Sequence, residues 1–312
     1  MPAKKMTKKE RAKVKLQTKP AEKEEKQEIQ YTVEDNGTEF PKLTRLMDAY
    51  GGWGTAVNVT IDRIADMAEP EIWGYDGKRD FLLEYIQTMV FKAAQQDKIM
   101  YNLEGTYCAL NTGLITPAGE PVLIGFNNYT GSEDAVNSEG NQYYWHLLGA
   151  ITPGNKMYSE EFGRVVPEIP VLYQNYRELW FDPDKEVIVN SQHIVGDNIE
   201  RVKALAPDMP DTLLIPVTIF AVDKAVKNAR RNPKCVIPYW YETETIQGHI
   251  AYAIPVQLDF GAGNNTMILA TEDTGAHYRV STLLPIEAVY VRARLLHSQD
   301  FGGLATYIKA EG

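Results

Sequence analysis

Residues 249–260 read HIAYAIPVQLDF, and this stretch decides the fold. Ile250, Tyr252, Ile254, Val256, Leu258 and Phe260 hold every second position, which places all six on one face of a strand. Between them stand Ala251, Ala253, Pro255, Gln257 and Asp259, so the other face is small or polar. Pro255 cannot donate to a ladder and points to an edge strand or a bulge. Residues 261–265, GAGNN, form a turn, Thr266 to Thr271 a returning strand, and Tyr278, Val280, Thr282 and Leu284 share one face of the next. With Cys235 to Tyr241 in front, these segments make an antiparallel meander of about four strands.

Outward from the meander the period changes to that of helices. Leu213 to Arg231 is a helix with Ile215, Ile219, Val222, Val226 and Ala229 on one stripe, and Asn232-Pro233 ends it. Pro216 suits the first turn of a helix, so the regular part begins near Ile215. Ile286, Val289, Tyr290, Ala293 and Leu296 mark a last helix over about 285–296. Earlier, Val57, Ile61, Ile64, Ala65 and Ala68 mark a helix that stops at Glu69-Pro70. Leu82, Tyr85, Ile86, Met89, Val90 and Ala93 give another over about 79–97.

From Thr106 to Phe126, Asn111-Thr112-Gly113 and Thr116-Pro117-Ala118-Gly119-Glu120 read as turn signals between short apolar runs, the last Val122 to Phe126, so paired strands joined by turns are expected. Residues 127–165 are rich in Asn, Gly, Ser and Tyr without a period, which predicts a long loop. Val187 to Val189 is a further strand and Asp197 to Leu205 a short helix. Helices come early and strands late, with no βαβα alternation, so the fold class is α+β: N-terminal helices and an antiparallel β-meander with packed helices. A disordered basic tail over 1–35 precedes one α+β domain over 36–312. Helices within 40–100 are a candidate subdomain.

The 312 residues are 44% hydrophobic and 24% charged, the profile of a globular chain and not of a disordered or collagen-like one. Residues 1–30 hold nine Lys and one Arg against five Glu, a net of +5, which leaves −15 of the total −10 to residues 31–312. An acidic body repels polyanions at long range, so nucleic acid binding requires a local basic cleft or the tail. The longest apolar run, Leu213 to Val222, is far short of the ~20 residues that span a bilayer, so no membrane association is expected. Two cysteines, Cys108 and Cys235, fit a cytoplasmic, reducing compartment.

Neither the five histidines nor the cysteines stand at metal-site spacing, and Gly51-Gly52-Trp53-Gly54 lacks the context of a phosphate loop, so no metal and no cofactor are expected. The richest polar constellation is Lys224, Lys227, Arg230, Arg231, Asn232 and Lys234. Lys224, Lys227 and Arg231 lie at i, i+3 and i+7 and give one helix face a basic character suited to phosphate or carboxylate. Cations near a helix C-terminus also stabilise the macrodipole whatever the protein does.

Several short motifs then stand in order: residues 68–73 (AEPEIW), Asp97-Lys98-Ile99, residues 109–114 (ALNTGL), Arg231-Asn232-Pro233-Lys234, Ile237-Pro238-Tyr239, Ile246-Gln247, Thr282-Leu283-Leu284 and Ala293-Arg294-Leu295. Across about residues 40–304 the chain resembles the family known as domain of unknown function 3825. That resemblance implies a bacterial or phage origin and RNA-related work without naming a reaction. It marks Asn111, Thr112, Arg231, Asn232, Lys234, Tyr239, Gln247, Thr282 and Arg294 as candidates to line one pocket.

Three functional readings stay open. The first is an RNA- or nucleotide-binding protein, with Arg231, Lys234 and Arg294 on phosphate and Tyr239 or Tyr278 as stacking face. The second is a structural or protein-interaction protein of phage or defence origin, contacting partners through tail 1–30 or loop 127–165. The third is a phosphoester- or nucleotide-processing enzyme using the same cations, with its catalytic residues unknown.

Overall fold

The computed structural model of the chain describes residues 31–33, 38–40, 56–75, 77–128, 145–243, 248–258, 260 and 265–297. Tail 1–30, residues 129–144 of the expected loop, and Gln247 lie outside the described residues. The class is α+β. Strands β1 (Tyr31–Val33) and β2 (Thr38–Phe40) pair antiparallel. Residues 31–33 were expected in the disordered tail; their aromatic and β-branched character favours pairing instead.

The first large sheet has four antiparallel strands in the order β3 (Met100–Tyr101), β4 (Tyr107–Ile115), β5 (Pro121–Asn128) and β6 (Trp145–Ile151). Asn111-Thr112-Gly113 is not the turn its composition signalled. It lies inside β4, where the register against β5 is interrupted between Asn111 and Ile115 and Gly113 takes φ +76°. Glycine tolerates that backbone, so the signal marks an irregularity in a strand. The second expected turn, at 116–120, is formed, closed by Thr116 N–H to Glu120 O and Gly119 N–H to Thr116 O. The expected loop over 127–165 is likewise partly regular: it contains β6 and the helix α3 (Lys156–Phe162), which Asn155 caps by accepting from Met157 N–H.

The second sheet has five strands in the order β7 (Val187–Ile188), β11 (Tyr278–Pro285), β10 (Thr266–Asp273), β9 (His249–Gln257) and β8 (Ile237–Tyr241). The expected meander is all present, and β7 joins it in parallel beside β11. Strand β9 is interior, not an edge. Pro255 is accommodated there because β8 pairs with β9 only as far as Ile237 opposite Ala253, so no neighbour asks for its missing N–H on that side.

Helices α1 (Ala56–Met67), α2 (Asp80–Gln95) and α7 (Glu287–Arg294) pack between the two sheets. Their apolar stripes meet Leu110, Leu114, Ile124 and Phe126 from the first sheet and Tyr239, Ala251, Ala253 and Ile268 from the second. The small face of β9 is therefore buried in this central layer, through Ala251 and Ala253. On the opposite face, Tyr252, Ile254, Val256 and Leu258 pack against α6 (Asp211–Arg231). Helices α4 (Ser191–Asp197) and α5 (Ile199–Leu205) flank α6.

The buried stripe of α6 is Leu214, Thr218, Ala221, Val222, Ala225 and Ala229, rotated from the expected one, and Ile215 is exposed. Hydrophobicity counts favour the larger Ile215 and Ile219, but the close crossing of β9 selects small residues. Thr218 remains satisfied there by donating to Leu214 O at 2.8 Å. Pro216 falls in the second turn, inside the regular helix.

Candidate functional site

Where β8 stops short, the end of α6 and the open margin of β9 leave a hollow of about 400 Å³. Ala225, Asn228 and Arg231 face it from the last turns of α6, Asn232 and Cys235 from the connection to β8, Pro255 and Gln257 from β9 and Thr266 from β10. Its volume falls within the ~300–1,000 Å³ typical of small-ligand sites. The Thr266 hydroxyl donates to Gln257 Oε1 at 2.7 Å, which leaves the Gln257 amide nitrogen to a ligand. Asn228, Arg231 and Asn232 are exposed, and their side chains make no bond to any described residue. No carboxylate lines the hollow among the described residues. Burial pushes the Cys235 thiol up, with a weaker opposing effect from a backbone hydrogen bond, so it stays protonated at neutral pH and serves as wall.

Around the rim, Lys224, Lys227 and Lys234 are exposed, and no described carboxylate lies within ion-pair distance of them or of Arg231. Arg230 turns away and donates to Pro183 O at 3.2 Å. The hollow therefore presents amide donors and acceptors, one guanidinium and three neighbouring ammoniums: groups that bind planar hydrogen-bonding edges and anions.

Of the residues expected to share one pocket, the structure brings Arg231 and Asn232 together at the hollow, with Lys234 beside them. The other described ones are elsewhere, and each has a structural occupation; Gln247 lies outside the described residues. Arg294 is on α7, across the five-stranded sheet from α6, and the residue is 5% exposed. Two hydrogen bonds tie it to the Glu71 carboxylate, and a third goes to His297 O. Tyr239 lies in the central core, buried to 2%, and offers no stacking face. Tyr278 stacks on Phe181 at 4.4 Å and accepts from Asp182 N–H at 2.8 Å, with Lys185 over its ring.

Thr282 donates to Asn198 Oδ1 at 3.2 Å. Asn111 donates to Pro167 O at 3.1 Å and Thr112 to Val122 O at 2.6 Å, both buried within strand β4 of the first sheet. The expected single pocket from these residues is thus not formed. The physical reason is topological: alternate residues of a sheet face opposite layers, and α6 and α7 occupy different layers. Asn228, Gln257 and Thr266 were not singled out by sequence. Asn228 carries a legible signal, three positions before Arg231 on the same helix face, whereas Gln257 and Thr266 join only through strand pairing.

Against this geometry the comparisons add one relation. The chain belongs to the family described as Domain of unknown function (DUF3825), which matches residues 64–301, more than half of its length. No curated protein and no solved structure shows a significant match. The matched span contains the whole of both large sheets and α6, and so every residue of the hollow. Among the described residues, no helix is long and apolar enough to cross a membrane, and no group of three or more His, Cys, Asp or Glu is placed to hold a metal ion.

Proposed function

We propose that this protein binds RNA or a nucleotide at the hollow between the end of α6 and the margin of β9. One observation carries the reading: Arg231 and the carboxamides of Asn228 and Asn232 line a nucleotide-sized hollow without serving any described protein partner. Cations and amides that stabilise a fold are engaged by it, as Arg294 is with Glu71 and Asn111 with Pro167 O. The side chains of Asn228, Arg231 and Asn232 at the hollow are engaged by no described residue. Arg231 matches a phosphate with two parallel donors, while the amides offer both donors and acceptors to a base edge. Binding is favoured over a reaction because the hollow holds ligand-contacting groups without a carboxylate or an activated thiol among the described residues.

The test is fluorescence anisotropy of labelled nucleotides and short RNAs over a salt series, with wild type and Arg231→Ala. We expect an affinity that falls with salt and drops roughly tenfold or more in the variant, as for loss of a hydrogen-bonded charge. Circular dichroism should be unchanged, because the side chain is exposed and bonds no described residue. Equal binding by the two proteins removes the proposed site.

A further inference from the structure

We infer that the face of α6 leading away from the hollow is a track for a single-stranded nucleic acid of several nucleotides, so that the hollow receives one unit of a strand. This rests on the binding reading above and extends it to the class of ligand. Phe220, Lys224, Lys227 and Arg231 are spaced by four, three and four residues and so share one helix face. They are all exposed, Phe220 at 70%. Arg231 belongs to both the row and the hollow.

Stability does not account for the row. The macrodipole favours cations only within the last turn, and Lys224 stands seven residues before the end of α6. Asp223 is four residues before Lys227, the spacing of a helical ion pair, yet the two form none. Phe220 faces away from a helix side already filled by Leu214, Ala221 and Val222, so its ring buries nothing in the core. A phenyl ring followed by cations along one groove is the pattern that holds a strand by stacking and phosphate contact.

Length and charge set the ligand class. The eleven steps from Phe220 to Arg231 rise about 16 Å at ~1.5 Å per residue, room for three to five nucleotides at the ~3.4 Å spacing of stacked bases. Residues 31–312 carry a net of −15, so the row is a cationic strip on an acidic body. A thin strand follows such a strip, whereas a wide duplex meets the surrounding negative charge. The strand then runs with one base on Phe220, phosphates along Lys224 and Lys227, and the base that follows them turned into the hollow past Arg231.

The experiment uses the full chain and labelled probes: adenosine and uridine monophosphates, six-nucleotide oligoadenylate and oligouridylate RNAs, and their DNA counterparts. A hexamer should bind at least tenfold more tightly than its mononucleotide. Phe220→Leu keeps the apolar bulk but removes the π face, and should weaken the hexamer roughly fivefold or more while leaving the mononucleotide unchanged. Lys224→Ala with Lys227→Ala should flatten the salt dependence by about 1.4 logarithmic units per decade of salt, at ~0.7 per phosphate contact on a single strand.

Equal affinity for RNA and DNA supports a track that reads backbone and stacking; an RNA preference supports one that also reads the 2′-hydroxyl. The track is overturned if the hexamer binds no better than the mononucleotide, if the α6 variants bind it as wild type does, or if polyglutamate displaces it equally well. When that happens while Arg231→Ala still weakens the mononucleotide, only the track fails. When Arg231→Ala changes nothing, the binding reading fails with it.

Discussion

Arg294 and Glu71, 223 positions apart, are joined by two hydrogen bonds of 2.6 and 2.8 Å inside the protein. The guanidinium also lies over the rings of Trp73 and Tyr85, at 5.8 and 5.3 Å. Tyr85 in turn donates to Thr112 O at 2.9 Å, its hydroxyl pushed up to about 12 chiefly by burial. The end of α7, the segment after α1, helix α2 and strand β4 are thereby tied at one point. The same arginine that the family resemblance assigns to an anion pocket is the anchor of the central layer.

Removing that arginine should be costly. Arg294→Ala leaves Glu71 buried without its partner, for which a loss of about 3–5 kcal/mol is expected. Pairing Arg294→Met with Glu71→Gln should recover part of it, since neither group is then a stranded charge. Urea unfolding of the three variants checks this. A mild Arg294→Ala phenotype would mean that the pair is solvated.

Gly113 should resist substitution. Its φ of +76° is strained for other residues, and a Cβ there would stand 2.9 Å from the Tyr85 hydroxyl. Gly113→Ala is expected to cost about 1–3 kcal/mol. A thermal melt compared with that of Gly119→Ala separates the two causes, because Gly119 has a similar φ of +78° but open space around it. Similar losses would assign the whole effect to the backbone.

Acid should destabilise the protein through His297. Burial first, and the Arg294 cation second, push its imidazole from 6.5 down to about 4. The unfolded chain binds this proton already near pH 6.5 and the folded one only near 4, so unfolding takes up a proton in between. Stability contributed by the neutral ring is complete above pH 6.5 and declines as pH falls towards 4. Urea midpoints measured at intervals across this window should fall less steeply for His297→Gln. Parallel slopes for variant and wild type would refute the assignment.

The crossing of α6 over β9 should not accept bulk. Ala229, with no exposed surface, lies between Asn228 and Arg231 on the opposite, buried side of α6, and Ala229→Leu is expected to cost about 1–3 kcal/mol by overpacking. It should also loosen ligand binding by lifting Arg231 and Asn232. Unchanged nucleotide affinity in a destabilised Ala229→Leu protein would show that the hollow tolerates movement of the helix.

Much of the fold is legible along the chain because the signals are local. The alternation in 249–260 and the 3.6-residue stripe of Leu82 to Ala93 each depend only on which side of a strand or helix is buried. The misreadings come from residues whose conformation is set by a neighbour. Gly113 signals a turn by composition but sits in a strand held by β5. The local pattern favours the stripe through Ile215 and Ile219, yet the approach of β9 buries Leu214, Thr218 and the alanines instead. Residues 145–151 lack a clear period and become a strand because β5 offers them an edge.

The candidate site divides in the same way. Sequence by itself determined the α+β class, the meander, the long helix and the cations at its end, since spacing along one helix places Lys224, Lys227 and Arg231 together without help from the rest of the molecule. Only tertiary structure decided which polar residues join them. It put Arg294 on the far side of the sheet with Glu71, buried Tyr239 and Tyr278, and brought Gln257 and Thr266 to Arg231, because those relations depend on strand register and on which layer each helix occupies. Neither is a property of any short stretch of chain.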